Sequence, residues 1–332
     1  MQRRNFLQLA GGALAAGALA GTGMAFGADR GNAAGKAAPL DVASFVAARK
    51  FAKLPQGRIA YVDRGHGDVV LFLHGFPVNS YQWRGAIDRL QGERRCVAAD
   101  FLGLGHTQPA PGQSVAPSAQ VEMLVALLDH LKIDRVDLVG NDSGGAVAQL
   151  FLAAHPQRVR SLLLTTCDTE IDSPPPLVLP VIEAARKGTF ATDMFPPQIK
   201  DKNYTRMDPN GLGQFCFTYP EKLADETIDY YLKPLVESPE RIAFTNAYAI
   251  GLDPNPLAGV EAKLKQLKLP VRIVWGTGDP IFKQEAADYL DRLFPNSKGV
   301  RRVQGAKLFF PEEFPDLIVE ELRALWKTRS AA

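Results

Sequence analysis

The chain predicts an α/β protein, with a mainly parallel sheet carrying helices on both faces and a mostly helical segment inserted into it. Two observations lead there. Short apolar runs alternate with stretches of 3.6-residue periodicity along most of the chain, the pattern of successive βαβ units. That rhythm then stops between Thr166 and Pro270, and a structureless connection of such length does not fit inside a compact domain.

Taken in order, residues 29–48 are rich in Ala and Gly and read as a linker, so order is expected to begin near Lys50. Strands are expected at GRIAYVD (57–63), DVVLFLHG (68–75), RRCVAAD (94–100), RVDLVGN (135–141), RVRSLLLTT (158–166), PVRIVWG (270–276) and GVRRVQG (299–305). Each is a short apolar run bounded by polar or turn-forming residues. Helices are expected over 117–132, 144–155, 283–294 and 313–327, where apolar residues recur at helical spacing. The interval 170–255, with Pro174 to Pro176, Pro196 and Pro197, is read as a helical cap, leaving 49–169 and 256–328 as the core. Its aromatics, including Phe215, Phe217, Tyr219, Tyr230, Tyr231 and Tyr248, would cover what lies beneath.

Composition narrows the function classes. The 332 residues are 46% hydrophobic and 22% charged, an ordinary globular balance that can bury a full core. Net charge is +2, from 38 basic and 36 acidic residues without a dense basic run, so neither nucleic acid nor an anionic membrane surface is indicated. A small-molecule substrate fits better. Cys96, Cys167 and Cys216 have no metal-ligand spacing and are odd in number, so buried free thiols are expected. No metal or organic cofactor is predicted, and oligomeric state is not legible.

The first 28 residues differ from the rest. Arg3 and Arg4 followed by Phe6 and Leu7, then a run of Ala, Gly and Leu, resemble a twin-arginine export signal. The resemblance implies export to the periplasm or beyond, cleavage near Gly27 or Ala28, and no stable membrane association afterwards. A membrane anchor is disfavoured because the run is Gly-rich and short of the roughly 20 strongly apolar residues a span requires.

The chemistry centres on LVGNDSGG (138–145), where a strand meets a helix among small residues. Such a turn is a nucleophile elbow, in which the attacking residue sits on strained backbone and small residues two before and two after remove clashes. Gly140 and Gly144 flank Asp142, whereas Asn141 and Gly145 flank Ser143, so Asp142 is preferred as attacker and Ser143 is the alternative. An Asp142 that merely caps the next helix is the structural alternative.

Four motifs in order resemble the α/β-hydrolase superfamily over about 50–327. They are HGFPVNSYQWR (74–84), DFLGLG (100–105), the elbow, and WGTGD (275–279). The resemblance implies an eight-stranded, mostly parallel sheet with an inserted cap. It further implies Asp142 as nucleophile, Asp279 as triad acid, oxyanion donors at the N–H groups of Phe76 and Ser143, and His74 and Trp83 at the loop and pocket. An aspartate at the elbow resembles the epoxide hydrolases and the haloalkane and haloacetate dehalogenases, which pass through an alkyl ester. Dehalogenases typically place Trp after the nucleophile, and here that residue is Ser143. Lid tyrosines of epoxide hydrolases protonate the opening oxygen, and Tyr204, Tyr219, Tyr230, Tyr231 and Tyr248 are all available for it.

The family's histidine is missing from its usual place. In GAKLFFPEEFP (305–315) Leu308 occupies the histidine slot, and all five histidines, His66, His74, His106, His130 and His155, precede it by far. Lys307, beside the slot, is a candidate substitute; Asp168, just after the strand ending near Thr166, is an alternate acid, a second carboxylate at the pocket where some relatives of the superfamily carry theirs; Glu312 and Glu313 read better as solvated or helix-N-terminal groups. Three functions stay open: a hydrolase using Asp142 with an unusual base, a ligand-binding protein on the same fold, and a Ser143 esterase.

Overall fold

The computed structural model describes residues 40–330. The twin-arginine segment and the first part of the expected linker lie outside the described residues. Order begins earlier than Lys50: α1 (Val42–Ala48) is capped by the Asp41 side chain on the Ser44 N–H and buries Phe45. The end of the expected linker is therefore helix, held by one aromatic anchor.

The strands are β1 (Arg49–Leu54), β2 (Gly57–Arg64), β3 (Val69–Leu73), β4 (Arg95–Ala99), β5 (Gln108–Pro109), β6 (Val136–Asp142), β7 (Val159–Cys167), β8 (Val271–Gly276) and β9 (Ser297–Val303). They form one nine-stranded sheet in the order β1-β2-β4-β3-β6-β7-β8-β9, with β5 paired to β2. Pairing is antiparallel at the β1 and β2 end and parallel from β4 to β9. All of β3 and β6 is buried, as expected for central parallel strands covered on both faces. Asp137 is tolerated within β6 because Arg160 and the Ser161 hydroxyl both bond its carboxylate, at 2.9 and 2.7 Å.

Helices α2 (Arg84–Leu90), α3 (Pro117–His130) and α4 (Ser143–Ala154) belong to the first part of the core. Between β7 and β8 come α5 (Leu179–Arg186), α6 (Phe190–Lys200), α7 (Lys202–Met207), α8 (Leu212–Cys216), α9 (Asp225–Leu232) and α10 (Pro239–Ile250), all inside the interval expected to be helical. Then follow α11 (Glu261–Leu264), α12 (Gln284–Leu293), α13 (Phe310–Glu313) and α14 (Pro315–Ser330). Sheet and insertion share one apolar core, from Phe72 and Trp83 to Phe195 and Tyr248. Among the described residues no helix is long and apolar enough to cross a membrane.

Candidate active site

At the end of β6 the chain turns abruptly into α4. The residue at the bend is Asp142, with φ 54° and ψ −133°, a conformation outside the favoured regions for any residue with a Cβ. Such strain costs on the order of 1–3 kcal/mol and persists where the surroundings enforce it. Gly140 and Gly144 permit the bend: a Cβ on Gly140 would lie 2.7 Å from the Gly144 carbonyl oxygen, and one on Gly144 would lie 2.4 Å from that of His74. Asp142 is thus the apex, and Ser143 already belongs to the helix.

The Asp142 side chain makes no capping bond to its own helix. Its Oδ2 instead accepts the Phe76 N–H at 2.6 Å, across from the loop after β3. Burial holds the carboxyl well above the usual range and the nearby Asp168 adds to that, while the N–H groups of Phe76 and Ser143 favour the charged form. The carboxylate is 8% exposed.

A cavity of about 100 Å³ opens over this carboxylate, lined by core and insertion together. Its walls are largely apolar, among them Phe76, Phe190, Phe195, Phe282 and Leu308, with Asp142, Ser143 and Asp168 as polar groups. Asp168 follows β7, and its Oδ1 accepts from the Ser173 hydroxyl at 2.9 Å. Burial raises its pKa to about 7. The Ser143 hydroxyl is 3.0 Å from the Tyr248 hydroxyl, which α10 delivers from the insertion. Tyr248 stacks on Phe76 with ring centroids 5.2 Å apart, and burial pushes its phenol up.

Asp279 stands on the loop after β8, next to but not lining the cavity. Its Oδ1 accepts the Ile281 N–H at 2.7 Å, whereas Oδ2 is buried without a partner. Burial lifts this acid to about 7, against the N–H groups of Ile281 and Phe282 and the charge of Lys307. Leu308, 1% exposed, reaches the cavity wall from the loop after β9, and its carbonyl accepts from Asn141 at 3.1 Å. The residue expected at the histidine position is therefore a buried aliphatic side chain on the cavity wall.

The fold agrees with the sequence comparison. A family model for the alpha/beta hydrolase fold matches residues 68–314. The chain belongs to this family. It is 25% identical over 283 residues to haloalkane dehalogenase 2 of Mycobacterium tuberculosis, covering 79% of this chain and 89% of that one. Among solved structures it resembles the epoxide hydrolase CorEH, with a TM-score of 0.70, 21% identity, and coverage of 84% of this chain and 98% of the other. The ancestral haloalkane dehalogenase AncHLD2 gives a TM-score of 0.67 at 23% identity, covering 85% of this chain and 100% of that one. At such identities the two structures establish the shared fold.

Several expected site residues of this hydrolase lie elsewhere or are otherwise engaged. Trp83 does not line the cavity. The segment Ser80–Trp83 winds into a 3-10 turn that drives the indole into the core against Phe72, at 5.3 Å. His74 is sealed behind the loop, its Nδ1 paired with the Gly75 carbonyl at 2.8 Å and its Nε2 accepting the Phe101 N–H at 2.9 Å. Both ring nitrogens are occupied, and burial lowers its pKa, so it supports the Phe76 loop as a neutral ring. The Lys307 ammonium bonds the Gln214 backbone carbonyl and lies 3.4 Å from that residue's amide oxygen, turned toward the insertion. Glu312 is neither solvated nor capping. It pairs with Arg84 at 2.7 Å and accepts the Tyr231 hydroxyl at 2.8 Å. Glu313 is spent on the N–H groups of Thr218 and Tyr219. Tyr248 could not be singled out from the sequence, because only tertiary structure brings α10 over the elbow. Among the described residues no group of three or more His, Cys, Asp or Glu side chains is placed to hold a metal.

Proposed function

We propose that this hydrolase opens a small apolar epoxide by attack of Asp142, through an alkyl-ester intermediate. One observation carries the reading: a carboxylate without a cationic partner is held at the apex of a strained bend, one oxygen on the Phe76 N–H, facing an apolar cavity. With Oδ2 fixed there, Oδ1 is left to attack an sp³ carbon. In the ester, the N–H groups that hold Oδ2 would face the carbonyl oxygen that becomes an oxyanion during hydrolysis.

Opening the ring breaks a C–O bond, and the resulting alkoxide needs a proton. The Ser143 hydroxyl lines the cavity and is backed by Tyr248, so Ser143 passes a proton on as Tyr248 replaces it. Burial first, and then the charges of Asp142 and Asp168, disfavour ionisation of Tyr248 before the reaction. Esterification removes the charge of Asp142 as the alkoxide forms, so the proton becomes easier to give in the transition state than in the ground state. A departing halide lacks such help. The three tryptophans, Trp83, Trp275 and Trp326, are buried and none lines the cavity.

The test is intact-mass measurement over time with a panel of small epoxides, haloalkanes and aryl esters, with Asp142→Asn as control. Diol release through a transient adduct on Asp142 supports the reading, and an acyl adduct on Ser143 refutes it. A second reading, binding without turnover, is favoured by Leu308 in the histidine slot. Reversible binding with no adduct on any panel member would establish it.

A further inference from the structure

Resting on that reading, we infer that Asp168 does the work of the absent histidine and accepts the proton of the water that hydrolyses the Asp142 ester. Three features place it there. Asp168 and Asp142 line the same cavity, and the charge of Asp168 raises the Asp142 carboxyl, so the two groups face common space. Asp168 is 4% exposed and its Oδ1 is fixed by the Ser173 hydroxyl, so the group is aimed and not free to swing into solvent. Four other candidates are committed, Lys307 to Gln214, His74 to Gly75 and Phe101, Glu312 to Arg84, and Glu313 to two backbone N–H groups, while Asp279, whose Oδ2 has no partner, does not line the cavity.

The step balances without an outside reagent. Asp168 takes one proton of the water as its oxygen bonds to the Asp142 ester carbon, and the oxyanion rests on the Phe76 and Ser143 N–H groups. Collapse breaks the acyl C–O bond, and the departing alkoxide takes the proton back from Asp168. Asp142 is left as a carboxylic acid, and its proton passes through Ser143 to the Tyr248 phenolate formed during ring opening. The sum is epoxide plus water giving diol.

The same geometry explains why an aspartate can serve. A carboxylate of ordinary basicity is a poor acceptor from water, but burial has raised Asp168 to about 7, where a base is effective at neutral pH. The titratable groups facing it are Asp142 from β6, Tyr248 from α10, Cys167 beside it and Asp172 on its own loop. Esterification neutralises Asp142 and moves that negative charge to the Tyr248 phenolate, which keeps the basicity of Asp168 raised while the ester is hydrolysed.

The experiment compares wild type with Asp168→Asn, following adduct formation and decay by rapid-quench intact mass with an epoxide that wild type turns over. Alkylation within a few-fold of wild type, with ester decay slowed by about 10²–10⁴-fold, is the expected result. Unchanged decay, or an equal loss in both steps, would overturn the inference while leaving the Asp142 reading in place. If neither protein ever forms an adduct, the functional reading fails and the inference with it. Should Asp168→Asn give no cooperative melt, Asp168→Glu is decisive: it should keep turnover with a shifted pH profile, and an unshifted profile counts against Asp168. As a charge control, Asp172→Asn should move the acidic limb of ester decay to lower pH and keep the plateau.

Discussion

Returning the histidine to its slot is the sharpest perturbation available, and it is best made in the Asp168→Asn background. Leu308 is 1% exposed and lines the cavity, while the buried Asp279 Oδ2 lacks a hydrogen-bond partner. Leu308→His therefore introduces an imidazole on the cavity wall, in a loop that meets the Asp279 loop where the Gly278 N–H donates to the Ala306 carbonyl at 2.9 Å. Removing the leucine costs about 1.5–3 kcal/mol of apolar burial, and a hydrogen bond from the ring to a charged Asp279 returns about the same, so folding stability should change little. The gain in ester hydrolysis should be about 10²–10⁴-fold, equivalent to roughly 3–5.5 kcal/mol in the barrier. The assay is the lifetime of the Asp142 adduct in Asp168→Asn with and without Leu308→His, beside thermal melts of both. An unchanged lifetime in a properly folded double variant would show that position 308 does not face the ester, and the reasoning about the slot would be wrong.

Other consequences can be checked alongside. Tyr248→Phe removes the partner of Ser143 and about 1 kcal/mol of stability; it should slow epoxide opening by at least tenfold and leave alkylation by any reactive haloalkane unaltered, as read by adduct formation. Activity and stability should respond to pH in opposite senses. Asp168 keeps its proton to about 7 in the fold, whereas an unfolded aspartate loses it near 3.9. This group's contribution is therefore fully present below about pH 4 and is lost, by up to about 4 kcal/mol, as pH rises through 7. Urea midpoints across that range should fall less steeply in Asp168→Asn, while turnover of wild type should rise through the same interval. Glu312→Gln strips Arg84 of its charge partner in a mostly buried site and should cost about 3 kcal/mol without moving the pH profile of ester decay, since Glu312 is not the base.

Much of the fold was readable because central parallel strands need apolar runs, and β3 throughout, with Leu138 and Val139 of β6 and Leu162 to Leu164 of β7, supplies them. What escaped was peripheral. β1 is an antiparallel edge strand in which only Ala52 is fully buried, so its charged sequence shows no buried face. β5 is two residues long and has no pattern to show. The elbow was legible for a local reason, since glycine spacing and backbone strain are properties of a few adjacent residues. The base was not. Whether Lys307 points to the ester or to Gln214, and whether Glu312 is solvated or paired with Arg84, depends on side-chain directions set by segments about 95 and 230 positions away. Trp83 misled because its motif fixes a chain position, while the 3-10 turn decides which way the indole goes.

The two roots of the helical insertion are moored to each other. The Glu170 carboxylate accepts the N–H groups of Gly259 and Glu261, at 2.6 and 2.7 Å, and the Asn255 amide bonds the Glu170 carbonyl at 2.8 Å. Away from these roots the insertion is tied to the core as well, since Arg241 donates to the Gly105 and Thr107 carbonyls and Glu313 accepts the Thr218 and Tyr219 N–H groups. Tilting this roof as one piece would break all of these bonds together, so small movements of the rings lining the chamber are the less costly way for a guest to enter.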